Sequence, residues 1–119
     1  SEAHRARFLT AIKQFGKVYD GKVDPEYGAA FYVLTSDEST WNQAKGYVSS
    51  HGINFDNLLQ EVDLGGSGYT ALIKLAGNLF NDGYTAANPV DLMGLDNQNF
   101  EVALNAFRVR RKNWLTSQF

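Results

Sequence analysis

The sequence predicts a compact all-α domain, a bundle of about six or seven helices, and three observations carry that reading. Apolar residues recur at three- and four-residue spacing along most of the chain, capping signals stand before these stretches, and no run alternates apolar and polar residues as a half-buried strand would. At 119 residues, with 44% hydrophobic residues, 20% charged residues and eight Phe, the chain has enough apolar material for one core and too much for a disordered segment. A single domain over residues 1–119 is expected, with a loop at 63–68 dividing it into two halves.

The first helix is read from Phe8, Ile12 and Phe15, with His4 and Ala11 on the same side, and Gly16 and Gly21 mark its end and the following loop. Asp24-Pro25-Glu26 starts the second: aspartate caps free amides, proline at the first position wastes no donor, and glutamate meets the positive end of the dipole. That helix continues through Tyr27, Phe31 and Leu34. Thr35 and Glu38 fit a capping box for a third helix, whose face would carry Trp41, Ala44, Val48 and His51 before Gly52 stops it. Asn54 caps a fourth, about Phe55 to Val62, with Ile53 and Leu58 placed as a hydrophobic staple.

Gly65-Gly66-Ser67-Gly68 reads as loop, because three glycines in four residues cost too much backbone entropy inside an element. Tyr69, Leu72, Ile73, Ala76, Leu79 and Phe80 then form an apolar stripe opposite Thr70, Lys74, Asn78 and Asn81, and Gly83 is placed as the left-handed terminating residue. Asn88-Pro89 opens a short turn of helix through Leu92 and Met93, ended by Gly94. The last helix follows Asp96, with Phe100, Ala103, Leu104 and Phe107 as its expected core stripe.

The net charge of −2 conceals segregation: residues 1–22 carry +3, residues 23–107 carry −9, and residues 108–119 carry +4. If the terminal helices pack side by side, Arg5, Arg7, Arg108, Arg110, Arg111 and Lys112 could form one basic patch able to meet phosphate or an acidic partner. The simpler reading, in which the basic ends complement the acidic middle, is preferred. Helical geometry also splays the last four charges around the axis.

Residues 71–110, especially Leu75-Ala76-Gly77-Asn78-Leu79-Phe80-Asn81, Gly94-Leu95-Asp96 and Asn99-Phe100-Glu101, together with His4, Arg7 and Phe8, resemble a family of small bacterial and prophage-associated helical proteins of unknown function. The resemblance implies a mostly helical fold and a bacterial or mobile-element origin. It transfers no activity and no site residues.

Recognisable chemistry is sparse. Cysteine is absent, which removes disulfides, thiolate metal sites and cysteine nucleophiles. Gly65 to Tyr69 lacks the lysine and hydroxyl of a phosphate-binding loop, and a plain loop with Ser67 as helix cap is preferred. His4 and His51 are read as packing or helix-end residues, and the pairs Asp37/Glu38 and Glu61/Asp63 as helix-end electrostatics. Trp114-Leu115 and Phe119 are expected to fold back on the core rather than anchor a partner. No apolar run approaches the ~20 residues of a membrane span, and the start, with Met93 the only methionine, is expected to be a processed one in a cytoplasmic protein. The leading expectation is therefore a non-enzymatic interaction module acting on a protein partner, with no cofactor and no metal. Nucleic-acid binding through the basic patch is the first alternative, and an enzyme using a histidine with a nearby carboxylate is the second.

Overall fold

A computed structural model describes residues 1–62 and 66–119. Among them six α-helices alternate with short turns: α1 (Glu2–Gln14), α2 (Pro25–Leu34), α3 (Glu38–Ala44), α4 (Phe55–Glu61), α5 (Ser67–Phe80) and α6 (Asn97–Arg110). Three short 3₁₀ segments (Lys45–Tyr47, Pro89–Gly94, Thr116–Gln118) complete the helical part. The chain is mostly helical, as expected, and it adds two hairpins of two-residue strands: β1 (Val18–Tyr19) with β2 (Lys22–Val23), and β3 (Val48–Ser49) with β4 (Gly52–Ile53). No helix of the described residues is long and apolar enough to cross a membrane.

The expected caps hold at α2, α4 and α6, where Asp24, Asn54 and Asp96 accept from the amides of the first turn. Asn88 likewise accepts from Val90 N and opens the 3₁₀ turn at Pro89. Helix α1 ends in a paired closure: Gly16 N donates to Lys13 O and Lys17 N to Ile12 O, with Gly16 at φ +69°. Burial is greatest on α2, where Ala29, Ala30, Phe31, Val33 and Leu34 are all at or below 1% exposure. This helix is the hub, and α1, α3, α5 and α6 pack around it. The radius of gyration, 13.0 Å, is close to the ~13.5 Å of one compact body of this length.

Several expectations are corrected. The start of α3 is not a Thr35/Glu38 box. Asp37 is the cap, accepting from Thr40 N at 2.9 Å, while Thr35 ends α2, fully buried, with its hydroxyl donating to Phe31 O. Helix α3 then stops at Ala44 rather than at Gly52. Val48 and Ile53 become cross-strand partners, and His51 stands exposed in the hairpin turn instead of on a helix face. Gly66, not Ser67, caps α5, and Ser67 and Gly68 belong to its first turn; Asp63, Leu64 and Gly65 lie outside the described residues. Gly83 is not left-handed, and Asn81 closes that turn by accepting from Gly83 N.

The most consequential correction concerns α6. Its buried face is Val102, Ala103, Ala106 and Val109, whereas Phe100 and Leu104 are half-buried and Phe107 is 42% exposed. At 3.6 residues per turn the helix is rotated by roughly a third of a turn from the expected stripe. The cause is close approach. A Cβ on Gly28 would lie 2.7 Å from Val23 Cγ1 and 3.1 Å from Val109 Cγ1, so the small and β-branched side chains of α6 seat against the Gly28-Ala29-Ala30 surface where Phe or Leu would not fit.

Candidate functional site

The six basic residues of the expected patch divide by what holds them. Arg7 is half-buried, its Nε donating to Thr35 O at 2.9 Å and its Nη2 reaching Ser36 O at 3.5 Å, so it serves the carbonyl end of α2. Arg110 does the same for α5, with Nε 2.8 Å from Leu79 O. Both guanidiniums satisfy orphan helix carbonyls and meet the negative end of a dipole. Arg110→Ala is expected to lower stability by about 1–2 kcal/mol, read as a shift in the urea midpoint; an unchanged midpoint would mean that water replaces the bond at no cost. Arg111 is exposed, and Lys112 Nζ lies 3.8 Å from the Trp114 ring centroid.

Arg5 and Arg108 behave differently, because both line one groove of about 620 Å³ between α1, α6 and the C-terminal arm. The basic ends of the chain thus meet through two residues rather than six. Arg5 Nε donates to the main-chain oxygen of Phe119 at 2.6 Å, and Arg108 Nη1 to Asn105 Oδ1 at 2.7 Å. Aromatic side chains supply the lining: the His4 and Tyr32 rings stand 4.4 Å apart, Phe8 and Tyr32 5.8 Å, and Phe8 and Phe119 4.6 Å.

The arm folds back, and Phe119 packs on the core as expected, whereas Leu115 is 42% exposed. Trp114 Nε1 donates to Arg108 O and closes the end of α6, while Trp114 O accepts from Val23 N at 2.8 Å. Leu115 bridges Lys22, and Thr116 N donates to Gly21 O, so the arm is laid along the first hairpin. That hairpin turns at Asp20 (φ +54°) and Gly21 (φ +74°), the left-handed pair that an Asp-Gly dipeptide suits.

His4 sits in the wall of the groove, buried, with Nε2 2.8 Å from Tyr32 O. Because a carbonyl only accepts, Nε2 carries the proton in the neutral ring. Burial pushes the His4 pKa below the ordinary value of 6.5, against the upward pull of the Tyr32 carbonyl. Burial likewise pushes the Tyr32 phenol up, partly offset by the bond that Asn105 Nδ2 donates to its oxygen. The folded chain therefore holds His4 neutral while the unfolded chain takes up a proton near 6.5. The stability that neutral His4 contributes is present above about pH 6.5 and is lost as pH falls through its lower native value, with a slope of at most about 1.4 kcal/mol per pH unit. His4→Gln, which keeps a neutral donor, is expected to flatten urea midpoints measured between pH 7 and 5; an identical slope in the variant would assign the loss to other groups.

A second, polar cavity of about 380 Å³ lies behind the same wall, sharing Ser1, His4, Tyr32 and Asn105 with the groove and lined also by Asp37, Asp96 and Glu101. His51 belongs elsewhere, in a cavity of about 330 Å³ with Asp24, Glu26, Tyr27 and Ser50, its Nδ1 3.1 Å from Ser50 Oγ. The two histidines thus do not share a site, and Asp24 Oδ1 is already engaged in capping α2. Of the acidic pairs, Asp37 caps α3, Glu61 accepts from Tyr47 OH at 2.6 Å, and Asp63 lies outside the described residues. Among the described residues no group of three or more His, Asp or Glu is arranged to hold a metal ion.

Sequence reasoning placed His4 and Phe8 on one face of α1 but missed their neighbours Tyr32 and Asn105. The three-residue spacing of Asn105 and Arg108 was the one available signal for the latter. Compared with protein-family models, with curated proteins and with solved structures, the chain matches none.

Proposed function

We propose that this bundle-type, all-α domain is a non-enzymatic binding module that engages a protein partner through the groove between α1, α6 and the C-terminal arm. The observation that carries this reading is the groove's lining, in which aromatic surface from Phe8, Tyr32, Trp114 and Phe119 is combined with the guanidiniums of Arg5 and Arg108. Aromatic and arginine side chains in a concave, largely desolvated setting are the groups that anchor protein partners. A nucleic-acid strand is favoured less. Arg7 and Arg110 are committed to helix ends, and the adjoining cavity with Asp37, Asp96 and Glu101 would repel a phosphate backbone running on from the groove. The resemblance of residues 71–110 suggests the setting: a bacterial or prophage accessory or regulatory protein, acting in the cytoplasm.

The test is retention of a protein from extracts of the source cells by the tagged full chain. The double variant Arg5→Glu/Arg108→Glu is expected to lose a partner that both wild type and Met93→Asp retain, since Met93 is exposed and does not line the groove. Equal retention by all three would overturn the groove reading. Binding of duplex or single-stranded oligonucleotides at low salt, falling steeply as salt rises, would replace the protein partner with nucleic acid.

A further inference from the structure

The arm shows what the groove prefers, because the chain has placed one of its own residues there. The Phe119 ring packs on Phe8 with centroids 4.6 Å apart, and its main-chain oxygen takes the Arg5 Nε proton at 2.6 Å. Upstream, Trp114, Leu115 and Thr116 are bonded to the first hairpin. Beyond Thr116 the main-chain bonds are local, Gln118 N to Leu115 O and Phe119 N to Thr116 O, and neither ties the last turn to the hairpin. Across the groove the half-buried Phe119 is held by its ring on Phe8 and by the Arg5 bond, both of which a partner can supply.

Resting on the binding-module reading, we propose that the groove recognises an aromatic side chain next to a carboxylate on the partner protein, and that Phe119 is a built-in competitor for that position. Charge supports an anionic ligand. The ionisable side chains lining the groove are Glu2, His4, Arg5, Tyr32 and Arg108, of which Tyr32 is a neutral phenol and His4 is buried and hydrogen-bonded to a carbonyl, leaving two guanidiniums against one carboxylate among the side chains. Each guanidinium has five N–H donors, and the contacts with Phe119 and Asn105 use one apiece, so a carboxylate seated between them gains charge-assisted bonds from the donors left over.

N-acetylphenylalanine is the probe, with its uncharged carboxamide and the backbone-free acid phenylacetate for comparison, titrated into the ¹⁵N-labelled full chain while the Trp114 indole and Arg5 Nε–H signals are followed. The acid is expected to bind about tenfold more tightly than the carboxamide, as one charge-assisted bond implies. Phe119→Ala is expected to bind the acid about tenfold more tightly than wild type, because the internal occupant no longer competes. Arg5→Gln, at an exposed position, should erase the preference for the acid over the amide. Equal affinity for acid and amide would overturn the anionic specificity, and equal affinity of wild type and Phe119→Ala would overturn the competitor role. Tighter binding of phenylacetate than of N-acetylphenylalanine would assign the groove to a free small acid instead of a protein segment. A groove-dependent protein partner retained alongside any of these negative results leaves the binding-module reading standing and removes this inference alone.

Discussion

Phe31→Ala is expected to be the most damaging single truncation in the chain, lowering stability by about 3–5 kcal/mol. Phe31 is at 0% exposure in the middle of α2, with the rings of Phe15, Tyr27 and Trp41 at 5.5, 5.6 and 5.5 Å. Removing it takes away transfer free energy and leaves a hole that three aromatic neighbours, from the C-cap of α1, from α2 and from α3, cannot all close by moving inward. A domain of this size has about 5–15 kcal/mol in total, so the variant should be partly unfolded at 37 °C. Urea melts followed by circular dichroism would measure the loss, with Phe31→Leu as the milder comparison at about 1.5 kcal/mol or less. A loss below about 1 kcal/mol for the alanine would show that the ring cluster repacks.

Gly28→Val is expected to cost about 3 kcal/mol, by the opposite mechanism of overpacking. The new Cβ alone would lie 2.7 Å from Val23 Cγ1, and both Val23 and Val109 are buried at 5% exposure or less, so neither side chain has space to retreat. Gly28→Ala should cost less, since replacing a helical glycine returns about 1 kcal/mol of propensity. Val109 lines the groove as well as touching the Gly28 surface. Pushing α6 outward would therefore move Arg108 with it, and the alanine variant should fold yet retain the partner of the groove more weakly. Full stability of Gly28→Val in the same urea melts would mean that the helices separate without penalty, and the account of the rotated α6 face would fall with it.

The caps at Asp24, Asn54, Asn88 and Asp96 were legible because each rests on a side chain two or three residues from the amide it serves. Thr35 and Glu38 misled because Asp37 lies between them as a second capping candidate, and sequence spacing cannot rank two acceptors two residues apart. The hairpins escaped notice because two-residue strands are too short to show alternation. The Asp20-Gly21 turn was the one cue, whereas Ser50-His51 offers none. Of the groove, Arg5 and Arg108 were named in advance together with four residues that the fold uses elsewhere or leaves outside it.

Local chemistry written in the chain determined that it would be mostly helical, where α2, α4 and α6 begin and which large apolar residues had to be covered. Only the packed structure decided which face of α6 would turn inward, because that depended on the absence of a side chain at Gly28 in another helix. The same packing decided that two arginines 103 positions apart would share one groove while Arg7 and Arg110 would be drawn to helix ends. Caps and periodicity act over a few residues. The meeting of distant side chains depends on how closely backbones approach, and that is a property of the whole core.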